Sequence, residues 1–242
     1  MHKLIRLVKR KQGLSPAQFK DHWLGPHAKL QQAALATNPS RKVAANIATG
    51  ESFGGGAPPF DGMIEAWFDT LDDAHKAMAA TPAMLAIRND MPNFVDLAAS
   101  PAHVLCEEHV MSQKPGAAGA TKPTGQVKII RTVYRRNDLT LQQFKDYWLK
   151  NHSRLEDRVI RESPVTKIVA TFAVAEPGKQ PDFDGMVELY FDKVDDIRAM
   201  FSGPIPAMMR KDEENFVQMD APAIRVVAEE YLLAERAAAK VA

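Results

Sequence analysis

The stretch LSPAQFKDHWLGPH at residues 14–27 returns, changed but recognisable, as LTLQQFKDYWLKNH at residues 139–152. The match extends without a gap from residues 3–30 to residues 128–155, and 14 of these 28 positions are identical. An offset of 125 residues (3 to 128) is far longer than the period of a solenoid repeat. The chain therefore contains two copies of one small domain.

Both copies predict the same order of elements. A short β-prone segment precedes a capped helix start, which is Ser15-Pro16-Ala17-Gln18 in the first copy and Thr140-Leu141-Gln142-Gln143 in the second. Two strands follow, the later one entered through the Asp-Gly turn of Phe60-Asp61-Gly62-Met63 and of Phe183-Asp184-Gly185-Met186. A second helix and a last strand complete a β-α-β-β-α-β order, so the predicted fold class is α+β with two ferredoxin-like units.

This plan leaves one face of each sheet without helices. We predict that two tandem ferredoxin-like βαββαβ units pack sheet to sheet on these faces, as one intrachain α/β barrel. The first unit is expected at residues 1–111 and the second at residues 126–242. Residues 112–125 are small and contain proline and glycine, which is typical of an exposed linker. A second chain is not needed to complete the barrel, and a homodimer of the whole chain stays open.

Composition excludes several classes of protein. Lys and Arg number 31 against 30 Asp and Glu, so the net charge of +1 disfavours a nucleic-acid partner. Cys106 is the one cysteine, which excludes an internal disulfide and a cysteine zinc cluster. No apolar run approaches the length of a membrane span, and the first residues lack the apolar core of a signal peptide. We expect a cytoplasmic protein with no membrane partner.

The two helix segments at residues 14–27 and 139–152, with their shared tryptophan and histidine, resemble the signature of the EthD family. Residues 60–69 resemble the third strand of that family, which is part of the dimeric α/β-barrel superfamily. The resemblance implies a barrel of ferredoxin-like units and a role in degradation of organic compounds or in polyketide tailoring. The superfamily includes cofactor-free monooxygenases, isomerases, dehydratases, haem-dependent members and binding proteins, and the fold alone does not choose among them.

Alternation along the third strands predicts a polar group inside the barrel. Glu65 and Glu188 fall on the face away from the helices. An arginine of each first strand, flanked by apolar residues, is predicted to meet the glutamate of the same half there. Such a pair is either a structural ion pair or an anion clamp beside a desolvated acid or base. The candidate acid–base residues are therefore Glu65 and Glu188, and the candidate substrate-binding residues beside them are Arg6, Arg131, Trp67 and Tyr190.

His27 and His152 are the only histidines that both copies share, and each lies on the apolar face of its predicted helix. One interpretation is a core histidine that satisfies a buried partner; the other is a general base that titrates near neutral pH. Trp23 and Trp148 on the same helix faces, with His103 and Tyr231 on the predicted last strands, complete the candidate binding residues. No histidine pair has metal-ligand spacing, so no metal site is predicted.

These features favour a cofactor-independent enzyme of the dehydratase, lyase or isomerase type. Its expected substrate is an apolar, oxygenated compound of aromatic or polyketide-like character. One alternative is a cofactor-free or haem-linked oxidoreductase such as a monooxygenase, so haem is kept as a minor alternative to no cofactor. Another is a non-catalytic accessory protein that binds the same kind of ligand. We also expect one half to be productive, and favour the second because Tyr190 stands beside Glu188 where the first half has the bulkier Trp67.

Overall fold

A computed structural model describes residues 1–51, 58–101, 103–117 and 126–236. Each half follows the predicted order, and in each the first helix continues through a short π-helix. The first half contains β1 (His2–Val8), α1 (Pro16–His22), a π-helix (Trp23–His27), α2 (Ala28–Ala34), β2 (Lys42–Ala48), β3 (Gly62–Phe68), α3 (Leu71–Ala77), α4 (Pro82–Asp90), a 3₁₀ turn (Met91–Asn93) and β4 (Val104–Gln113). The second half contains β5 (Gln126–Val133), α5 (Leu141–Tyr147), a π-helix (Trp148–His152), α6 (Ser153–Glu162), β6 (Lys167–Ala173), β7 (Gly185–Phe191), α7 (Val194–Phe201), α8 (Ile205–Glu213) and β8 (Arg225–Glu235).

The predicted capping boxes begin both first helices. The Ser15 hydroxyl accepts from the backbone N–H of Gln18, and the Gln18 side chain accepts from the backbone N–H of Ser15. Thr140 and Gln143 form the same pair of bonds at the start of α5. These bonds satisfy donors that a helix start otherwise leaves free. They fix where each helix begins, and so where its tryptophan and histidine fall.

Eight strands form one closed barrel in the order β1-β3-β2-β8-β5-β7-β6-β4. The last strand of each half joins the two halves by hydrogen bonds, because β8 pairs with β2 and β4 pairs with β6. The predicted intrachain barrel of two ferredoxin-like units is therefore confirmed, with the halves joined along their sheet edges. The helices cover the outside of this barrel.

Strand β4 runs to Gln113 and so enters the segment that was predicted as a linker from residue 112. Residues 118–125 of that segment lie outside the described residues. The unit boundaries remain a prediction. No helix in the part of the chain that the structure describes is long and apolar enough to cross a membrane.

One expectation about β1 is wrong. Ile5, and not Arg6, is the register partner of Glu65, and Ile130 is likewise the partner of Glu188 in the second half. Arg6 and Arg131 therefore point outward, toward the helices, while Lys3 and Lys128 point into the barrel. Both faces of these strands are covered and carry apolar residues, so alternation of apolar residues did not distinguish them.

Candidate functional site

The barrel interior holds a cluster of buried ion pairs, which we call the barrel cluster. Lys3 Nζ lies 2.6 Å from Glu65 Oε1 and 2.7 Å from Glu188 Oε1, so it bridges the two halves. Lys128 Nζ lies 2.9 Å from Glu65 Oε2 and also contacts Glu188. Glu65 and Glu188 are fully buried, together with both lysines. The barrel cluster comprises Lys3, Lys128, Glu65, Glu188, Glu108 and Glu230.

Trp67 and Tyr190, the two predicted substrate-binding residues inside the barrel, form hydrogen bonds with glutamates of the barrel cluster. Trp67 donates from Nε1 to Glu108 Oε2 at 2.9 Å, and the Tyr190 hydroxyl donates to Glu230 Oε2 at 2.9 Å. Oxygens of Glu65, Glu188 and Glu230 lie within 4.8 Å of one another, but the Lys128 ammonium contacts all three carboxylates. The ammonium thus takes the place that a bound cation would need.

Two cavities lie outside the barrel, between the sheet and the helices. The first cavity, of about 200 Å³, is lined by Arg6, Trp23, His27, Gln31, Met91 and His103 among others. The second cavity, of about 500 Å³, is lined by Arg131, Trp148, His152, Glu156, Glu213 and Arg225 among others. Neither cavity is lined by the four barrel-facing candidates Glu65, Glu188, Trp67 and Tyr190. Six of the sequence-predicted residues line the two cavities as equivalent sets of three. Each set contains an arginine, a tryptophan and a histidine: Arg6, Trp23 and His27 in the first cavity, and Arg131, Trp148 and His152 in the second.

Each cavity histidine forms a pair with a carboxylate. His27 Nδ1 lies 2.8 Å from Asp90 Oδ2, and His152 Nδ1 lies 2.7 Å from Asp212 Oδ2. In the described part of the chain, neither Nε2 forms a hydrogen bond. Burial lowers the pKa of both histidines, and their hydrogen bonds to the aspartates offset this only in part. The neutral ring with Nδ1–H on the aspartate leaves the Nε2 lone pair free to accept a proton.

The aspartates are themselves held in place by neighbouring polar groups. Asp90 accepts from Asn93 Nδ2 at 2.9 Å and contacts His22 Nε2 at 3.0 Å. Asp212 accepts from the Tyr147 hydroxyl at 3.1 Å. Burial alone would raise the pKa of Asp90, but these hydrogen bonds and that from His27 keep the pKa below its usual value. The carboxylate therefore stays ionised beside its histidine.

The π-helices place the tryptophan and histidine of each half in the same cavity. Trp23 and His27 begin and end the first π-helix, and Trp148 and His152 the second. Short π-helical turns inside α-helices occur frequently at functional sites, because they re-aim side chains. The residue before the histidine is Pro26 in one half and Asn151 in the other, so a proline is not required for the π-helix.

A family model of the EthD domain matches residues 11–98 and again residues 136–220. The chain belongs to the EthD family. Both matches span the π-helix and the His–Asp pair of their half, so each half is one EthD unit. No curated protein matches the chain.

Solved structures show the same fold at low sequence identity. An anthrone oxidase-like protein is 8% identical with a TM-score of 0.62, and the match covers 99% of this chain and 96% of that chain. A mutant chlorite dismutase from Candidatus Nitrospira defluvii is 11% identical with a TM-score of 0.53, covering 94% and 90%. The structural similarity supports the barrel fold, and at identities this low it says nothing about the reaction.

Three pairs of residues that line the cavities or contact the cavity histidines were missed from the sequence. They are the aspartates Asp90 and Asp212, and two pairs that differ between the halves, namely Gln31 with Glu156 and Met91 with Glu213. The aspartates stand three residues before Asn93-Phe94-Val95 and Asn215-Phe216-Val217, which match between the halves. That local match was the available signal, but pairing an aspartate with a histidine some 60 residues earlier needs the folded structure.

The remaining two candidates lie apart from each other. His103 lines the first cavity. Burial and the charges of Lys179 and Arg6 lower the pKa of His103. Tyr231 lines neither cavity; its ring packs against Lys20 Nζ at 4.8 Å and its hydroxyl contacts Glu229. The role of Tyr231 as a ligand contact stays a prediction.

Proposed function

We propose that this protein is a small-molecule enzyme that abstracts a proton from an apolar oxygenated compound in a cavity between helix and sheet. The observation that supports this is the histidine of each His–Asp pair, which lines a cavity together with an arginine and several apolar side chains. Lyase, dehydratase and isomerase reactions share this first step. The barrel interior, where we expected the site, is instead structural in this proposal.

In the proposed mechanism, Nε2 of the histidine takes a proton from a carbon next to a carbonyl group. The electron pair of the broken C–H bond moves to the carbonyl oxygen and forms an enolate, which the arginine stabilises. The aspartate accepts the Nδ1–H bond and stabilises the imidazolium that forms. The imidazolium then returns its proton, to another carbon in an isomerisation or to a leaving hydroxyl group in a dehydration. No cofactor enters this sequence.

A cofactor-free oxidation begins with the same anion and is the second candidate. The similarity to an anthrone oxidase-like fold supports testing an aromatic ketone with an acidic CH₂ group. For anthrone the balanced reaction consumes one O₂, replaces both CH₂ hydrogens by a carbonyl oxygen, and yields anthraquinone and water. Proton abstraction by histidine is the step that this reaction shares with the lyase and isomerase reactions.

Deuterium exchange tests the shared step directly. Anthrone and the smaller 2-indanone are incubated with the protein in D₂O without oxygen, and loss of the CH₂ signal is followed by NMR. We expect exchange above the rate in buffer, with a loss of about 10²-fold or more in the acceleration when the active histidine is replaced in His27→Gln or His152→Gln. Unchanged acceleration in both variants would refute the proposal. Admission of oxygen then distinguishes oxidation, through the appearance of the quinone.

A binding protein and a haem protein make different predictions. If the chain is a carrier, His27→Gln and His152→Gln change ligand affinity and no exchange occurs. Haem would need the larger second cavity, of about 500 Å³, where His152 would hold it through Nε2 while Nδ1 stays on Asp212. Bound there, haem would supply one-electron and oxygen chemistry. We expect no Soret band in the purified protein; a band that His152→Ala abolishes would establish the haem alternative. Cytoplasmic location and a homodimer stay predictions.

A further inference from the structure

Among the described residues, Arg6 in the first cavity has no carboxylate partner for its charge. Its Nη1 is 3.9 Å from Met91 Sδ, a weak contact, and its Nε is buried without a hydrogen bond. In the second half, Arg131 Nη1 lies 2.6 Å from Glu213 Oε1. Met91 and Glu213 both directly follow the aspartate of the His–Asp pair, so they are equivalent positions. One half therefore neutralises its arginine and the other does not.

Two more polar atoms in the first cavity are left without partners. Trp23 is 2% exposed and Gln31 is 7% exposed, and neither Trp23 Nε1 nor Gln31 Oε1 forms a hydrogen bond. The equivalent pair in the second half is Trp148 and Glu156, where Nε1 donates to Oε1 at 3.2 Å. A buried donor and a buried acceptor without partners are costly. A single hydroxyl group resolves both, because it accepts from the indole and donates to the amide.

The first cavity is small, and apart from Asn38, Ser40, Arg88 and His103 the rest of its lining is apolar. No carboxylate lines it among the described residues. An engineered apolar cavity of about 150 Å³ is known to take benzene. The first cavity, at about 200 Å³, suits one ring with small substituents. Its main apolar lining consists of Leu4, Ile64, Ala66, Phe68, Met84 and Ile87.

The second cavity differs in the placement of its charges. Two carboxylates, Glu156 and Glu213, line it together with three arginines. Arg210 Nη1 lies 3.6 Å from Glu213 Oε2, so this glutamate faces two of the three. Arg225 has no carboxylate partner in the described residues, but its side chain is exposed and its guanidinium lies over the Phe201 ring, 5.7 Å from the centroid, whereas Arg6 is only partly exposed. Among the described residues, no arginine of the second cavity is therefore both partly buried and without a partner.

We propose that the first cavity, and not the second, binds a one-ring apolar organic anion, with its carboxylate or enolate oxygen on Arg6 and a hydroxyl group between Trp23 and Gln31. This assignment rests on the proposed function, because it names the substrate class and the half that uses it. It also favours the first half over the second, against the expectation drawn from Tyr190. Nε2 of His27 faces the same ligand as its base.

The test compares anionic probes with neutral ones. The three hydroxybenzoate isomers and their hydroxybenzamides, which have similar shape and no charge, are titrated into the protein by calorimetry. We expect at least one hydroxybenzoate to bind once per chain, about tenfold or more tightly than its amide. Met91→Glu supplies Arg6 with the internal carboxylate of the second half and should lower that affinity about tenfold or more. Met91→Gln, of the same size without the charge, should change it less than threefold.

The reciprocal variant creates the missing site. Glu213→Met frees Arg131 and should add a second binding event per chain. Thermal melts check that each variant is folded. If Met91→Glu does not fold, Arg6→Gln provides an independent removal of the cation. Any one of four results would overturn the assignment. The acid and its amide could bind with equal affinity, or Met91→Glu and Met91→Gln could have equal effects. The unmodified protein could have two sites, or no probe could bind at millimolar concentration.

The outcomes also separate this inference from the proposed function. His27→Gln should keep hydroxybenzoate binding, since Arg6 is intact, while the accelerated deuterium exchange of 2-indanone, the probe with one aromatic ring, is lost. If exchange depends on a histidine but the hydroxybenzoates do not bind, the anion assignment fails and the proton abstraction stands. If the hydroxybenzoates bind as described and no histidine affects exchange, the enzyme proposal fails, and with it the assignment of this anion as a substrate.

Discussion

At the scale of single residues, a glutamate and a glutamine occupy one position of the repeat. Glu156 is 1% exposed, and burial raises its pKa to about 7, with only partial relief from the Trp148 hydrogen bond. Gln31 stands at the equivalent place in the first half and cannot ionise. The second half thus has a titrating group at this buried position, and the first half does not.

Replacement of Glu156 by glutamine should flatten the pH dependence of stability. The folded state holds this proton more tightly than the unfolded state, whose pKa is near 4.5. Its contribution is therefore fully present below pH 4.5 and is lost as the pH rises toward 7. Glu156→Gln keeps an acceptor for Trp148 and has no charge to bury, so it should be more stable than the unmodified protein at pH 8 by about 3 kcal/mol at most. Urea unfolding at pH 5 and pH 8 measures this; a variant that is less stable at pH 8 would show that the carboxylate is favoured there.

At the scale of elements, the repeated Phe-Asp-Gly segment fixes the start of β3 and β7 by close approach. The Asp61 carboxylate accepts from the backbone N–H of Arg10, and Asp184 accepts from that of Arg135. A Cβ at Gly62 would lie 2.6 Å from the Trp23 ring and 2.7 Å from the Asn46 carbonyl oxygen. The glycine at residue 62 is therefore needed for space, since its φ is not positive.

Alanine at Gly62 should destabilise the protein and disturb the first cavity, because the Trp23 ring or the β2 backbone must move. We expect a loss of about 1–3 kcal/mol, as for overpacked core positions. Gly185→Ala is the matched control: its Cβ would meet the Phe144 ring at 3.0 Å and a carbonyl at 3.3 Å, so it should cost less. Chemical denaturation of both variants provides the comparison, and a larger loss for the Gly185 variant would contradict this account.

The same scale shows where sequence patterns succeed and where they fail. The capping boxes of Ser15 and Thr140 predicted two helix starts correctly, because a cap is a local signal. The inward direction of Arg6 was wrong, because both faces of β1 are covered and only the partner strand sets the register. The π-helices and the distance from His27 to Asp90 have no local signal either. They arise from packing between elements that are far apart in the chain.

At the scale of the whole molecule, the duplication predicted the barrel, but the contents of the barrel required the structure. Lys3 and Lys128 look like ordinary charged residues at strand starts, yet both are fully buried. Four carboxylates, of Glu65, Glu108, Glu188 and Glu230, face these two ammonium groups. Burial and the charge of Glu65 raise the pKa of Glu188, which is the expected result of an excess of acids. The barrel cluster includes ion pairs between the two halves, so its charges help to hold the halves together.

Removal of one ammonium should therefore destabilise the whole barrel. Lys3→Met keeps much of the aliphatic length but removes the ammonium that Glu108 contacts and leaves Glu65 and Glu188 to share Lys128, which should cost about 3–5 kcal/mol. Lys76→Met is the control, because Lys76 is exposed and its contact with Asp72 contributes little.

The pH dependence separates the loss of charge from the loss of packing. Without Lys3 the carboxylates that it contacted bind protons more tightly in the folded state, so their pKa values rise. That contribution is present at low pH and is lost as the pH rises, so Lys3→Met should approach the unmodified protein at pH 5 and fall furthest behind at pH 8. Denaturant unfolding at the two pH values, with Lys3→Met/Glu188→Gln as a partial rescue, measures the effect. An equal deficit at both pH values, with no rescue, would mean that Lys3 acts by packing rather than by neutralising the glutamates.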